Sequence, residues 1–163
     1  MVKAHLQIPE GHENILYNWL LNFQHLNGEY SKMYGNSKAY PEGDIFIFSD
    51  PDWQHPDHPP GLALFDPSHN CAALLGLRYF GEFKKGTLTL AWGMATRNGF
   101  ISCHGGLKRL RMPNGKDFVM AVFGLSGSGK STITHAKHGG KYEVTILHDD
   151  AFIIRCDKKY SIA

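Results

Sequence analysis

The sequence predicts an α/β fold with a mixed sheet, because short apolar runs of strand length are interspersed with helix-compatible stretches. A glycine-rich loop, Gly124–Ser131, directly follows the most apolar of these runs. The chain has 163 residues, of which 42% are hydrophobic. That length supports one domain with a substantial core but is too short for two full-sized domains.

The first half of the chain predicts one helix followed by several strands. Apolar residues at helical spacing predict a helix over residues 12–27, which Gly28 ends. Asp44–Phe48 has the composition of a buried strand, and the prolines of Ser49–Gly61 predict a surface loop. Two further apolar runs of strand length follow, Leu62–Phe65 and Ala72–Leu77.

The second half predicts more strands and one short helix. A basic, glycine-rich turn region is predicted over Gly105–Lys116. A helix is predicted to start at Lys130 and to end by Gly139. The predicted strands are Thr87–Trp92, Phe118–Phe123 and Val144–Leu147. The second of these contains no polar residue, so we expect it to be the most clearly buried strand of the chain.

Charge and composition exclude several classes of function. The formal net charge is +2, and no basic stripe or polybasic cluster points to nucleic acid or to a membrane surface. No apolar run reaches the length of a membrane span, and the N-terminus lacks the apolar stretch of a secretory signal. The three cysteines, Cys71, Cys103 and Cys156, lack CxxC spacing and are interpreted as reduced thiols. We therefore expect a cytoplasmic protein that binds neither nucleic acid nor membrane.

Gly124–Ser131 satisfies the phosphate-loop pattern G-x-x-x-x-G-K-[ST]. Its glycines permit positive φ, so that successive backbone N–H groups can turn toward a phosphate, and the following helix directs its positive end at the same anion. Lys130 would contact the β- and γ-phosphates, and the Ser131 hydroxyl would bind Mg²⁺. The alternative is a glycine- and serine-rich turn that matches the pattern by chance. The strand before the loop and the helix-compatible stretch after it favour a nucleoside triphosphate site.

Two carboxylates follow the next predicted strand. Val144–Leu147 leads through His148 to Asp149 and Asp150. Enzymes with a phosphate loop bring an acidic side chain to the metal ion in this way. Taken alone, such a pair is more often a solvated turn. Its position after a phosphate loop favours a metal site.

Three segments stand in a recognisable order, with Tyr79–Gly86 reading YFGEFKKG, Gly99–His104 reading GFISCH, and Phe123–Thr132 reading FGLSGSGKST. Together they resemble ATP-dependent phosphoenolpyruvate carboxykinase. The similar segments of that family are Y-x-G-E-x-K-K-G, a stretch that ends in a metal-binding histidine, and the phosphate loop GLSGTGKT. The resemblance covers Leu75–Asp150, which makes it far more specific than a phosphate loop alone.

The resemblance implies an incomplete carboxykinase-like fold and two parts of the chain. No motif relates residues 1–70, which form the N-terminal helix and strand part, to the family. Residues 71–163 would form a core that carries the substrate, metal and phosphate-loop residues and is truncated at its C-terminus. We read the chain as a fragment or a divergent relative of the family, in which exposed apolar surface would favour self-association.

For the substrate and the first metal ion, the resemblance implies roles for matching residues. Tyr79 and Lys84 would face oxaloacetate or phosphoenolpyruvate. Lys85, His104 and Asp150 would hold a Mn²⁺ ion that bridges the substrate and the γ-phosphate. An ammonium group cannot coordinate a cation, so Lys85 would have to lose its proton, which the positive charges of Lys84 and the metal favour. Without the resemblance, the two lysines would be interpreted as a solvated basic turn and His104 as a structural histidine.

For the nucleotide, the resemblance implies that ATP binds to the phosphate loop together with Mg²⁺. Asp149 would support the Mn²⁺ site from nearby, and Ser131 would bind the Mg²⁺. Catalysis would depend on Lys84, Lys85 and Lys130. The nucleotide-binding residues would be Gly124, Leu125, Ser126, Gly127, Ser128, Gly129, Lys130, Ser131 and Thr132. The implied reaction decarboxylates oxaloacetate to an enolate, which then takes the γ-phosphoryl group to give phosphoenolpyruvate, CO₂ and ADP.

The chain departs from the family pattern in several places. Ala151–Ile154 stands where the family has Glu-His-Gly-Trp, and Gly105–Leu107 stands where it has Ser-Ala-Asn. We find no counterpart of the substrate-binding arginine that the family carries early in its chain. The remaining histidines are interpreted as loop residues without a chelating context. These include His55, His58, His135 and His138.

Two other functions remain open besides the carboxykinase. One is a non-catalytic nucleotide- or phosphate-binding module that has kept the loop, which the altered residues after Asp150 favour. The other is a small kinase of the HPr-kinase kind, which has a related core but which the pattern of Lys84, Lys85 and His104 disfavours. Metal dependence separates the carboxykinase from the nucleotide-binding module. The carboxykinase site should bind Mn²⁺, whereas the module should need only the Mg²⁺ that ATP brings.

Overall fold

The computed structural model describes residues 2–23, 28–37, 40–156 and 161–162. It divides into two compact units, Met1–Met94 and Ala95–Ala163. The first unit contains β1 Ala4–Gln7, α1 Glu13–Phe23, α2 Gly28–Gly35, β2 Ile45–Asp50, β3 Leu62–Asp66, β4 Cys71–Leu75 and most of α3 Phe80–Arg97. The second contains β5 Phe100–Arg111, β6 Asp117–Phe123, α4 Lys130–His135, β7 Glu143–His148, β8 Ala151–Cys156 and β9 Ser161–Ile162.

The first unit is built on a four-stranded mixed sheet in the order β1-β2-β4-β3. β1, β2 and β4 are parallel, whereas β3 pairs antiparallel with β4. Successive residues of a strand point to opposite faces, and accordingly Ile45 and Ile47 are buried while Phe46 and Phe48 are exposed. The buried face shares its core with Ile15 and Trp19 of α1 and with residues of α3. The predicted α/β class with a mixed sheet is therefore confirmed.

α3 corrects the prediction of a strand at Thr87–Trp92. The whole segment lies inside an 18-residue helix. Phe83, Thr87, Leu90 and Met94 are its buried side chains, and they recur at helical spacing. Trp19 Nε1 donates to Thr87 Oγ1 over 2.9 Å, which ties α1 to this buried face. Thr87–Trp92 alternates small polar and apolar residues only locally, and the longer helical period decides the structure.

The second unit is an antiparallel sheet around β5. β6 pairs with one edge of β5, while β7 and β8 pair one after the other with its opposite edge. The predicted turn region over Gly105–Lys116 is therefore wrong for most of its length, because β5 continues to Arg111. The turn is confined to residues 112–116, where Met112 N donates to Lys116 O over 2.8 Å.

β6 is a strand as predicted, but it is not buried. Phe118, Val119 and Phe123 are each more than half exposed. Within the described residues β6 pairs only with β5, so it is an edge strand. A face of an apolar strand is buried only where another element covers it. The apolar composition of β6 therefore did not determine its burial.

Other predicted elements agree with the structure to within a few residues. β2, β3, β4 and β7 occupy the predicted positions. The predicted first helix corresponds to α1, and its last residues, 24–27, lie outside the described part of the chain. α4 starts at Lys130 as predicted but ends at His135, because Ala136 is extended and His138 has a φ of 52°. None of the helices among the described residues combines the length and the apolar character needed to span a membrane.

Candidate functional site

The loop between β6 and α4 has the strand–loop–helix order that the phosphate-loop pattern requires. β6 ends at Phe123, and α4 begins at Lys130. Gly127 and Gly129 have φ values of 78° and 82°, in the left-handed region that favours glycine. A Cβ atom at either position would meet no neighbouring atom within 4 Å, so backbone conformation rather than crowding accounts for these glycines.

Lys130 closes the loop on itself. Its Nζ donates to the carbonyl oxygen of Leu125 over 2.7 Å, and Ser128 N donates to the same oxygen over 3.2 Å. Ser131 is exposed in the first turn of α4. Among the residues that the structure describes, the ammonium group donates to this one neutral acceptor, and an anion could replace it as a stronger, charge-assisted partner.

His104 and Asp150 meet where the strand paired with β5 changes from β7 to β8. His104 Nε2 lies 3.3 Å from Asp150 Oδ1. The pairing register of β5 shifts between Leu107 and Lys108, and Asp150 has a φ of 87°, which is rare for a non-glycine residue. Gly105 N donates to Asp150 O over 3.0 Å and so holds this irregular residue against β5. The irregularity brings together two residues that are 46 positions apart (104 and 150).

An imidazole nitrogen and a carboxylate oxygen suit a divalent transition metal ion. Their separation of 3.3 Å is short enough for one ion to contact both at usual metal–ligand distances of about 2.0–2.2 Å. Among the described residues, no three His, Cys, Asp or Glu side chains converge as a metal cluster. His104 and Asp150 thus fit two ligands of such an ion, and further ligands would have to be a lysine, water or substrate.

Asp149 has a different partner from Asp150. Its Oδ2 lies 2.9 Å from His135 Nε2, and its Oδ1 accepts a hydrogen bond from Asp150 N over 3.1 Å. His135 is the last residue of α4, so this pair connects the helix after the loop to the carboxylates after β7. The sequence interpretation of His135 as a loop residue is therefore wrong. The one available signal was its position four residues after Ser131, on the same face of a short helix.

Lys108 is a functional candidate that the sequence did not reveal. It is fully buried on β5, and its Nζ donates to the carbonyl oxygens of Ile133 and Ala136 at the end of α4. The same atom lies 2.7 Å from His138 Nε2. Burial lowers the pKa of Lys108 from its ordinary value. Ile133 O also accepts a hydrogen bond from Ala136 N, so Lys108 adds a second donor to this carbonyl and one to Ala136 O, and it fastens α4 to the sheet.

The remaining candidates lie in the first unit. Tyr79 directly precedes α3 and its side chain is 74% exposed. Lys84 is half-buried and Lys85 is exposed, on the second turn of α3. Adjacent helical positions point about 100° apart, so the two lysines face different directions. The structure therefore joins His104 with Asp150, and His135 with Asp149, inside the second unit, while Tyr79, Lys84 and Lys85 belong to the first.

A family model described as phosphoenolpyruvate carboxykinase matches residues 44–158. The chain belongs to the ATP-dependent phosphoenolpyruvate carboxykinase family. The match begins well before Leu75, where the sequence resemblance starts, and it includes β2, β3 and β4 of the first unit. Every candidate site residue lies within the matched range.

One relative is the protein named phosphoenolpyruvate carboxykinase (ATP) from Aeropyrum pernix. It is 34% identical over 97 residues, which are 56% of this chain. The aligned region covers 20% of the length of that relative. The carboxykinase match therefore concerns a limited part of the longer protein.

The structure gives a reason for two departures from the carboxykinase pattern after His104. A Cβ atom at Gly105 would overlap Val122 O and would lie 2.8 Å from Phe123 Cα in β6. A Cβ atom at Gly106 would lie 2.8 Å from the Cβ of Thr134 in α4. Glycine at both positions lets the strand before the loop and the helix after it approach β5 more closely than any side chain would allow.

Proposed function

We propose that this chain carries the phosphate-binding and metal-binding part of an ATP-dependent phosphoenolpyruvate carboxykinase. The reaction converts oxaloacetate and ATP to phosphoenolpyruvate, CO₂ and ADP, a step of gluconeogenesis. The observation that carries the proposal is the approach of His104 Nε2 to Asp150 Oδ1, within 3.3 Å. His104 lies on β5, which pairs with the strand β6 that leads into the glycine-rich loop, and Gly105 stands opposite Phe123 at the end of β6. Asp150 lies between β7 and β8, which pair with the other edge of β5. A metal ion and a triphosphate could therefore bind near the same end of this sheet.

The phosphate loop would act through its backbone and one lysine. Backbone N–H groups of residues 126–130 would surround the β- and γ-phosphates, with Gly124 and Thr132 at the two ends of the nucleotide-binding segment. Lys130 would exchange its hydrogen bond to Leu125 O for the phosphate oxygens. The Ser131 hydroxyl, which is exposed at the start of α4, would bind the Mg²⁺ that accompanies ATP.

The family resemblance supports roles for further residues in binding the substrate and Mn²⁺. Mn²⁺, held by His104, Asp150 and a neutral Lys85, would supply positive charge against the developing enolate. Lys84 and Tyr79 would bind and orient oxaloacetate, and Lys84 would oppose the same negative charge. Asp149 would act indirectly, since its carboxylate is engaged by His135 and its other oxygen orients the backbone of Asp150. Lys130 would steady the phosphoryl group during its transfer.

A non-catalytic nucleotide-binding module is the second candidate. Ala151 and Phe152, which stand in place of a family Glu-His pair, are buried on β8. Buried apolar side chains can bind neither metal nor substrate, and positioning of both substrates supplies much of an enzyme's rate. Such a protein would bind ATP with Mg²⁺ and would produce no phosphoenolpyruvate.

Titration calorimetry and a product assay test the two candidates together. Mg²⁺-ATP is titrated into the wild-type chain, into Lys130→Met, and into Lys116→Met as an exposed control lysine outside the loop. Both candidates predict binding that Lys130→Met weakens at least tenfold and Lys116→Met leaves unchanged, because a charge-assisted phosphate contact is lost. Formation of phosphoenolpyruvate from oxaloacetate, ATP and Mn²⁺ identifies the carboxykinase. Binding without product identifies the module, and no binding overturns both.

The proposal also covers the cellular location of the protein and its small-molecule partners. Cys71 and Cys103 are free thiols, which supports a reducing cytoplasmic location. Burial raises the pKa of the Cys103 thiol, so that this cysteine stays protonated and inert. The partners would be small molecules, namely oxaloacetate, phosphoenolpyruvate, ATP and ADP, together with Mn²⁺ and Mg²⁺.

A further inference from the structure

A cleft of about 490 Å³ opens at the carboxyl ends of two parallel strands of the first unit. β2 and β4 pair in parallel, with Asp50 opposite Leu75 at their ends. The chain leaves β2 toward Trp53 and leaves β4 toward Arg78, and both segments line the cleft. In open α/β sheets, ligands bind in the crevice outside the carboxyl ends of parallel strands. The volume is that of a small-molecule site.

The walls of the cleft are fixed by backbone contacts. Gly76 N donates to Asp50 O over 2.8 Å, and Trp53 N donates to the same oxygen over 3.3 Å. Gly76 has a φ of 68°, and a Cβ atom there would lie 2.7 Å from Trp53 O. The two segments are thus held together at a point where only glycine fits. The cleft is part of the fold and does not have to form when a ligand arrives.

A guanidinium group is oriented within the cleft by a chain of polar contacts. His12, which is buried, lies with its Nε2 3.0 Å from Asp52 Oδ2. The other oxygen of Asp52 accepts a hydrogen bond from Arg78 Nη2, and Arg78 Nε donates to Pro51 O over 3.4 Å. The hydrogen bond from His12, followed by the charge of Arg78, holds the pKa of Asp52 below its ordinary value. Asp52 therefore stays ionised and keeps Arg78 in position.

Part of the Arg78 guanidinium remains available to a ligand. Both of its contacts with described residues use Nε and Nη2, and its side chain is 67% exposed. A guanidinium has five N–H donors in a planar fork, so the two donors of Nη1 and the second donor of Nη2 have no partner among the described residues. This fork matches the geometry of a carboxylate.

Aromatic rings form a second wall of the same cleft. The rings of Trp53 and His55 are stacked, with centroids 5.7 Å apart and planes 9° apart. Three prolines, Pro51, Pro56 and Pro59, complete the apolar lining. A flat apolar wall beside a guanidinium suits a ligand that is itself planar and carries a carboxylate at one end.

We propose that this cleft binds a small planar carboxylate, with its carboxylate on Arg78 and its flat face against Trp53. The inference goes beyond the proposed function, because it involves neither the phosphate loop nor a metal ion. The ligand that fits this chemistry is an aromatic acid, whose ring is planar and carries the carboxylate directly.

The test uses the full chain labelled with ¹⁵N and follows its tryptophan indole N–H signals by NMR, without nucleotide or metal. The chain has three tryptophans, and Trp53→Phe identifies the signal of the cleft. Sodium benzoate is titrated, with benzamide as its neutral analogue. We expect benzoate to shift the Trp53 signal saturably, benzamide to leave it unmoved, and the buried Trp19 to report an unchanged fold.

Variants of Arg78 test whether its guanidinium binds the carboxylate of the ligand. Arg78→Gln should weaken binding at least tenfold, and Arg78→Lys, which keeps the charge but loses the planar fork, should weaken it less. Lys116→Gln is the control for loss of a distant positive charge. The proposal is overturned if benzoate gives no saturable shift below about 10 mM, if benzamide binds as well as benzoate, or if both arginine variants bind like the wild type. Because the sample contains no ATP, failure here leaves the carboxykinase proposal untouched.

Discussion

Lys108 occupies a position where lysine is seldom found, with a side chain that is fully buried. The cost of burying its charge is offset by two carbonyl oxygens at the end of α4 and by His138. We infer that the residue positions the helix that follows the phosphate loop. Because α4 has only six residues, it depends on tertiary contacts of this kind for its stability.

Replacement of Lys108 by methionine tests this role. Both carbonyl groups at the end of α4 lose the Nζ donor of Lys108, so we expect the free energy of unfolding at pH 7 to fall by about 1–3 kcal/mol. Chemical denaturation monitored by circular dichroism measures the change. Lys116→Met, which alters an exposed lysine in the turn after β5, should leave the free energy of unfolding unchanged within about 0.5 kcal/mol. Equal stability of the Lys108→Met variant and the wild type would contradict the assigned role.

The lowered pKa of Lys108 predicts a pH dependence of a definite sign. The unfolded chain takes up a proton on this lysine more readily than the folded chain does. The contribution of Lys108 to the free energy of unfolding therefore rises with pH as the pH approaches the ordinary lysine pKa of 10.5. Denaturation between pH 7 and pH 10 (about three pH units) should show this rise in the wild type and lose it in Lys108→Met. A steeper rise in the variant would reverse the sign and refute the prediction.

Asp52 predicts the opposite pH dependence on the acid side. The hydrogen bond from His12 and the charge of Arg78 depress its pKa in the folded state. Its contribution to stability is present above the ordinary aspartate pKa of 3.8 and is lost as the pH falls through the lower folded value. Acid titration of Asp52→Asn should therefore show a shallower loss of stability below about pH 4 than the wild type. Asp57→Asn, in the same loop but with a side chain that is 83% exposed, provides the matched comparison.

At the scale of elements, β6, the loop and α4 rely on two glycines of β5. The space beside Gly106 is filled by Thr134 of α4, which is fully buried. A methyl group there has to push the helix away from the sheet. The same helix carries Lys130 and Ser131, so a displacement would reach the phosphate loop.

Gly106→Ala is expected to destabilise the chain by about 1–3 kcal/mol, since overpacking forces shifts of the backbone. It should also weaken Mg²⁺-ATP binding by the folded protein. Calorimetry well below the unfolding temperature measures this effect separately from the loss of stability. Gly43→Ala is the control, because a Cβ atom at Gly43 would meet nothing within 4 Å and its φ is not positive. Tight ATP binding by a folded Gly106→Ala protein would show that the approach of α4 to β5 is not required.

Local patterns in the sequence predicted about half of the elements, and they did not predict contacts between distant residues. β2 and β7 are short apolar runs bounded by turn residues, and such runs are visible in the sequence alone. α3 was missed because six residues of local alternation concealed a period that appears only over its full length from Phe80 to Arg97. The pairing of Lys108 with Ala136 and of His135 with Asp149 depends on how α4 packs against the sheet. No spacing rule encodes that packing.

At the scale of the whole molecule, one face of the first sheet is apolar and exposed. Phe46, Phe48 and Leu64 are each 46–55% exposed on that face. Contiguous apolar surface favours association. This face is therefore the surface through which we predict that the chain self-associates.

Sedimentation velocity over a range of concentrations measures this tendency. We expect the wild-type chain to exceed its monomer mass of 18.3 kDa as concentration rises. Phe46→Ser combined with Phe48→Ser should keep it monomeric, because both exposed rings of β2 are removed. Tyr17→Ser removes a similarly exposed ring from α1 and should change nothing. A wild-type chain that remains monomeric throughout would show that this face has no partner in a second copy.

The pairing of His104 with Asp150 as a divalent metal site is the claim on which the proposed chemistry depends. Electron paramagnetic resonance of Mn²⁺, in the absence of nucleotide, measures it directly through the loss of the six-line signal of the free ion. The account predicts one bound ion per chain and affinity at least about tenfold lower in His104→Ala. His69→Ala, whose side chain is 79% exposed in the first unit, should bind like the wild type. Equal Mn²⁺ affinity in all three proteins would contradict the metal site and with it the carboxykinase chemistry proposed for this chain.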